Sequence, residues 1–90
     1  MPLQILSEPP PEPTEVTQEL KDKILAELPD AEVNVSAGGP GHFEITVTSA
    51  SFEGLTRVKQ QQRVYAAIAP LMSGNTPPVH AVDRMVTKLP

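Results

Sequence analysis

The chain has 90 residues, a formal net charge of −4, eleven prolines and no cysteine. That length allows one domain. The missing cysteines exclude disulfides, a thiol nucleophile and thiolate metal ligands supplied by the chain itself, and they fit a reducing cytoplasm, where the protein is expected. No apolar stretch approaches the about 18 residues of a membrane span, and no basic segment leading into an apolar run marks a secretory signal, so no membrane partner is expected.

Residues 1–13, MPLQILSEPPPEP, hold five of the eleven prolines. Proline fixes φ and lacks an N–H, so this stretch reads as a flexible, polyproline-like arm, with the folded domain over 14–90. A domain of roughly 75 residues buries only about 60% of the surface its unfolded chain exposes, so the core is thin. With Phe43, Phe52 and Tyr65 the only aromatics, aliphatic side chains must fill it.

Thr14 is suited to cap a first helix, in which Val16, Leu20, Ile24 and Leu28 recur every fourth residue, with Leu25 flanking, until Pro29 ends it. Ala31, Val33 and Val35 then alternate with Glu32, Asn34 and Ser36, the period of a strand with one inward face. Ala37 to Gly41 is a loop by composition, and Phe43, Ile45 and Val47 alternate along a second, antiparallel strand. Ser49 to Gly54 makes a turn, and Thr56 can cap a helix over 57–69. Val58, Tyr65, Ile68 and Met72 would form its apolar side, with Lys59, Gln60 and Arg63 outside, and Pro70 would break it before a short helical turn over 71–74. Val79 to Thr87 forms a third strand whose apolar residues fall on both parities, so it is either covered on both faces or bulged. A helical crossover between the second and third strands predicts that they are parallel. The result is an α+β fold of order α-β-β-α-α-β, with a three-stranded mixed sheet and helices on one face.

Gly38-Gly39-Pro40-Gly41 matches the GxxG of RNA-binding KH domains, but there the motif joins two helices and here it joins two strands. His42 and His80 are the only histidines. Their plain readings are an exposed strand residue beside Glu44 and a strand histidine satisfied by a nearby carbonyl. Two histidines do not complete a structural zinc site, which takes four ligands, but they can supply part of a site finished by another molecule. Arg57, Lys59 and Arg63 lie in the stretch from Gly54 to Val82, which has no acidic residue, and they read either as a solvated helix face or as phosphate contacts. No catalytic set is placed by any motif, and no enzyme activity is expected.

Three segments together carry a resemblance: Gly41-His42-Phe43-Glu44-Ile45-Thr46-Val47; Ser51-Phe52-Glu53-Gly54-Leu55-Thr56 running on through Arg57-Val58-Lys59-Gln60-Gln61-Gln62-Arg63-Val64-Tyr65; and Val79-His80-Ala81-Val82. The chain resembles the BolA family from about Thr14 to Val86, and the helix looks like that of the IbaG (YrbA) branch. Other members tend to have Arg-His-Arg where this chain has Gln61-Gln62-Arg63. The resemblance implies a KH-like fold, and a protein that pairs with a monothiol glutaredoxin to share a bridged 2Fe-2S cluster, serving iron–sulfur and iron homeostasis and the stress response. The cluster would exist only in the complex, held on one side by the glutaredoxin cysteine and a glutathione thiol and on the other by the family's late histidine, here His80. Relatives often offer a second Cys or His from the first hairpin loop; here His42, at the loop's end, is the nearby candidate. The family also implies an alternative role as a DNA-binding transcriptional regulator, for which Arg57, Lys59 and Arg63 would be the contacts. Alone, the chain is expected to be a monomer or weak homodimer.

Overall fold

The structure is a computed structural model, and it describes residues 13–90. The proline-rich arm expected over 1–13 lies outside the described residues except for Pro13, the first residue of helix α1 (Pro13–Glu27). The backbone of Thr14 thus lies in the first turn of the helix, and the cap expected of its side chain lies outside what is described. Proline at the first helical position costs little, because that N–H has no intrahelical partner anyway. Strands β1 (Glu32–Gly39) and β2 (His42–Thr48) follow, then a 3-10 turn (Ala50–Phe52), helix α2 (Arg57–Met72) and strand β3 (Ala81–Lys88).

The sheet order is β1-β2-β3, with β1 antiparallel to β2 and β2 parallel to β3. The α+β class, the mixed sheet and the parallel crossover are as the sequence predicts. Both helices cover one face: α1 lies over β1 and against α2, and α2 lies over β3. Val16, Leu20 and Ile24 of α1 are buried, as is Leu28 just past its end, whose N–H donates to the Ile24 carbonyl. Phe43, Ile45 and Val47 meet them from β2, while Glu44 on the opposite face is exposed.

Three details differ from the sequence expectation. The hairpin connection is not a five-residue loop: β1 runs to Gly39 and only Pro40 and Gly41 turn the chain. Gly41 has φ 76, and proline followed by a glycine of positive φ is the pair a type II turn demands. Gly38 has no partner in the register and forms a bulge beside the turn. Second, Pro70 does not break α2. The helix continues through Leu71, which is buried, and Ser73 caps its end by donating from Oγ to the Ala69 carbonyl at 2.8 Å. Burial of Leu71 and this cap offset the one backbone bond that proline cannot make. No separate third helix follows among the described residues, and the short extra turn is the 3-10 segment ahead of α2, with Phe52 buried in it.

Third, the inward face of α2 is Val64, Ile68 and Leu71 rather than Val58 and Tyr65, which stand exposed. The glutamines explain the rotation. Gln60 donates to the Leu55 carbonyl (3.0 Å) and accepts from Thr87 Oγ1 (2.8 Å), while Gln61 donates to the Met85 carbonyl (3.2 Å). These bonds turn the polar residues of α2 toward β3. The expected cap holds: Thr56 Oγ1 accepts from the Lys59 N–H at 3.2 Å.

The ambiguous third strand is bulged. Phe43 pairs with Val82 and Glu44 with Arg84, so Asp83 is the extra residue. The insertion re-phases β3: Val82, Met85 and Thr87 share the helix-covered side with their partners Phe43, Ile45 and Val47.

Candidate functional site

The two histidines come together at one end of the sheet, around the Pro40-Gly41 turn. His80 lies just before β3 rather than inside a strand, and it is exposed. Its N–H donates to the Gly41 carbonyl at 2.8 Å, and the N–H of Ala81 donates to the same oxygen at 3.0 Å. One carbonyl thus ties the start of the third strand to the hairpin. The His80 ring rests against Gly41: a Cβ on Gly41 would stand 2.7 Å from His80 Cδ2. Behind it, Val79 is buried and donates its N–H to the Leu71 carbonyl, anchoring the segment to the end of α2.

His42 opens β2, opposite Ala81. Its Nδ1 lies 3.1 Å from Asp83 Oδ1, and both side chains are about half exposed (48% each). A carboxylate only accepts, so the Nδ1–H donates, which leaves Nε2 with the free lone pair of the neutral ring. The partner of His42 is therefore the bulge residue Asp83, not its strand neighbour Glu44. His42, His80 and Asp83 are grouped at this end, yet no set of three or more His, Cys, Asp or Glu residues is arranged to hold a metal ion among the described residues.

The basic residues stand elsewhere, on α2. Arg57 and Lys59 are exposed in its first turn. Arg63 is only half exposed and lies 3.6 Å from Glu27 of α1, which offsets its charge. A shallow groove between the helices is lined by Glu27, Leu55, Lys59, Gln62, Arg63 and Ala66. The three cations are therefore not one uniform basic face.

Sequence reasoning named both histidines but missed the residues that hold them. Asp83 had a signal in the broken alternation of the third strand, since an extra residue must sit where the phase changes. Gly41 had one in the Pro-Gly pair, which calls for a positive φ.

Comparison with known proteins decides the lineage. The family model for BolA-like proteins matches residues 15–88. The chain belongs to the BolA family. It is 38% identical over 73 residues to an uncharacterized protein in the rpoN-murA intergenic region of Acinetobacter guillouiae, covering 80% of this chain and 84% of that one. It is 34% identical over 65 residues to the acid stress protein IbaG of Escherichia coli (strain K12), covering 72% and 74%, consistent with the IbaG-like branch. The structure of a bolA protein homologue from Coxiella burnetii superposes with a TM-score of 0.67 at 29% identity, covering 82% of this chain and 90% of the other. BolA1 from Arabidopsis thaliana gives 0.67 at 25% identity, covering 81% and 89%. No helix among the described residues is long and apolar enough to cross a membrane.

Proposed function

We propose that this BolA-family protein is a non-catalytic partner of a monothiol glutaredoxin and that His80 ligates a 2Fe-2S cluster shared between them. The observation that carries this reading is the exposed His80 imidazole, seated beside the hairpin turn and tied to it through the Gly41 carbonyl. A chain without thiols can enter such a cluster only through imidazole or carboxylate, and the remaining thiolates would come from the glutaredoxin and from glutathione. Imidazole in place of thiolate raises the potential of the cluster and gives it a ligand that can be protonated. His42 is the second candidate ligand. The Asp83 bond at Nδ1 favours it, since it holds the ring with Nε2 available. Similarity to a protein named for acid stress supports a role in the stress response, and the shared cluster, if formed, would place the protein in iron–sulfur and iron homeostasis.

The test is reconstitution with a monothiol glutaredoxin, glutathione, iron and sulfide, followed by visible circular dichroism. His80→Ala should change the spectrum of the complex and shorten the lifetime of the cluster. An unchanged spectrum and lifetime would exclude His80 as a ligand. His42→Ala should have the smaller effect.

The alternative reading is a DNA-binding regulator using α2. Arg57 and Lys59 support it, while the Arg63–Glu27 pair and the net charge of −4 count against it. Phosphate contact by those cations predicts affinity that falls steeply with salt. Binding unaffected by removing Arg57 and Lys59 would end that reading.

A further inference from the structure

We infer that Gly41 is the positioning residue for His80, so that the hairpin turn sets where the imidazole points. An L side chain at Gly41 would place its Cβ 2.7 Å from His80 Cδ2, 2.8 Å from Cγ and 3.1 Å from Cβ. Turning the ring about the Cβ–Cγ bond moves Cδ2 but leaves Cγ and Cβ where they are, so only a new χ1 or a shift of the backbone relieves the contact. The backbone is fixed in turn by the bonds from His80 and Ala81 to the Gly41 carbonyl. The Cβ–Cγ–Cδ2 side of His80 therefore lies against bare Gly41 backbone, and the residue remains open to solvent. The positive φ of Gly41 is a separate reason for glycine, and it has a matched control: Gly54 has φ 82 with nothing within 4 Å of its would-be Cβ. The consequence for the cluster rests on the proposed role of His80, whereas the placement of the ring does not.

The experiment is a thermal double-mutant cycle on the full chain. Gly41→Ala should lower Tm in both the parent and the His80→Ala background, and by less in the latter, where Cγ and Cδ2 are gone. Gly54→Ala should lower Tm equally in both. Equal losses for Gly41→Ala in the two backgrounds would overturn the inference. Should Gly41→Ala fold only together with His80→Ala, that rescue supports it. Independently of any variant, three-bond couplings should show one χ1 rotamer for His80 in the parent, and averaging over rotamers would overturn the inference. In the reconstituted glutaredoxin complex, Gly41→Ala should change the visible circular dichroism as His80→Ala does. If His80→Ala leaves that spectrum unchanged while the coupling persists, the ligand role fails and the positioning role stands.

Discussion

Asp30 shows how single residues fasten this small fold. It lies in the turn between α1 and β1, and its carboxylate accepts from Ser49 Oγ, the Ala50 N–H and Ser51 Oγ at 2.9–3.0 Å. The turn is thereby tied to the junction after β2. Hydrogen bonds from Ser49, then Ser51, hold the Asp30 carboxyl below its ordinary value, against a smaller opposing effect of desolvation. A depressed folded value means that the unfolded chain takes up the proton first as pH falls. The stabilisation is complete above the unfolded value, and it is lost as pH falls through the folded one. Asp30→Asn should therefore lower Tm at neutral pH, and the difference from the parent should shrink in acid. Thermal melts of both proteins over the range below about pH 5 check this. At the other end of the sheet, Asp83→Ala should release the His42 ring, visible as a shift of its imidazole resonances. Because that pair is half exposed, the stability change should stay below about 1 kcal/mol.

Among the elements, α2 depends on its start. Thr56 supplies the side-chain cap at that end, and Thr56→Ala should cost about 1 kcal/mol, read as a shift in the urea midpoint without a change in slope. The elements also show what a sequence makes legible. The α1 stripe could be read because Val16, Leu20, Ile24 and Leu28 stand among polar neighbours, so only one face can turn inward. In α2, apolar residues occur on several sides, and period alone did not choose between Tyr65 and Val64. The choice falls to the hydrogen bonds of two glutamines, Gln60 and Gln61 donating to the Leu55 and Met85 carbonyls and Gln60 accepting from Thr87 Oγ1, and bonds of that kind leave no periodic trace. The site was legible in the same uneven way. His80 and His42 were named as residue types that ligate metals, but their holders, Gly41 and Asp83, owe their roles to pairing across the sheet.

For the whole molecule, the core is a single cluster of aliphatic side chains with Phe43 and Phe52 at its centre, shared by every element. Large-to-small substitution there costs about 2–5 kcal/mol, against a total stability of about 5–15 kcal/mol for ordinary domains. Leu20→Ala, fully buried on α1, should therefore remove a large share of the stability and lower the urea midpoint accordingly. The parallel pairing of β2 with β3 has a kinetic consequence. The hairpin needs only two residues to close, whereas the third strand must return across the whole of α2 before His80 meets Gly41. Ordering that much chain delays the reward of contact, so the end bearing both histidines should be the last part of the protein to acquire its native form. Val82→Ala, which weakens β3 opposite Phe43, should accordingly speed unfolding and leave the refolding rate nearly unchanged in stopped-flow measurements. A nascent or partly opened chain would then lack the end proposed to receive iron and sulfur, which would make completion of the fold a checkpoint on the proposed cluster sharing.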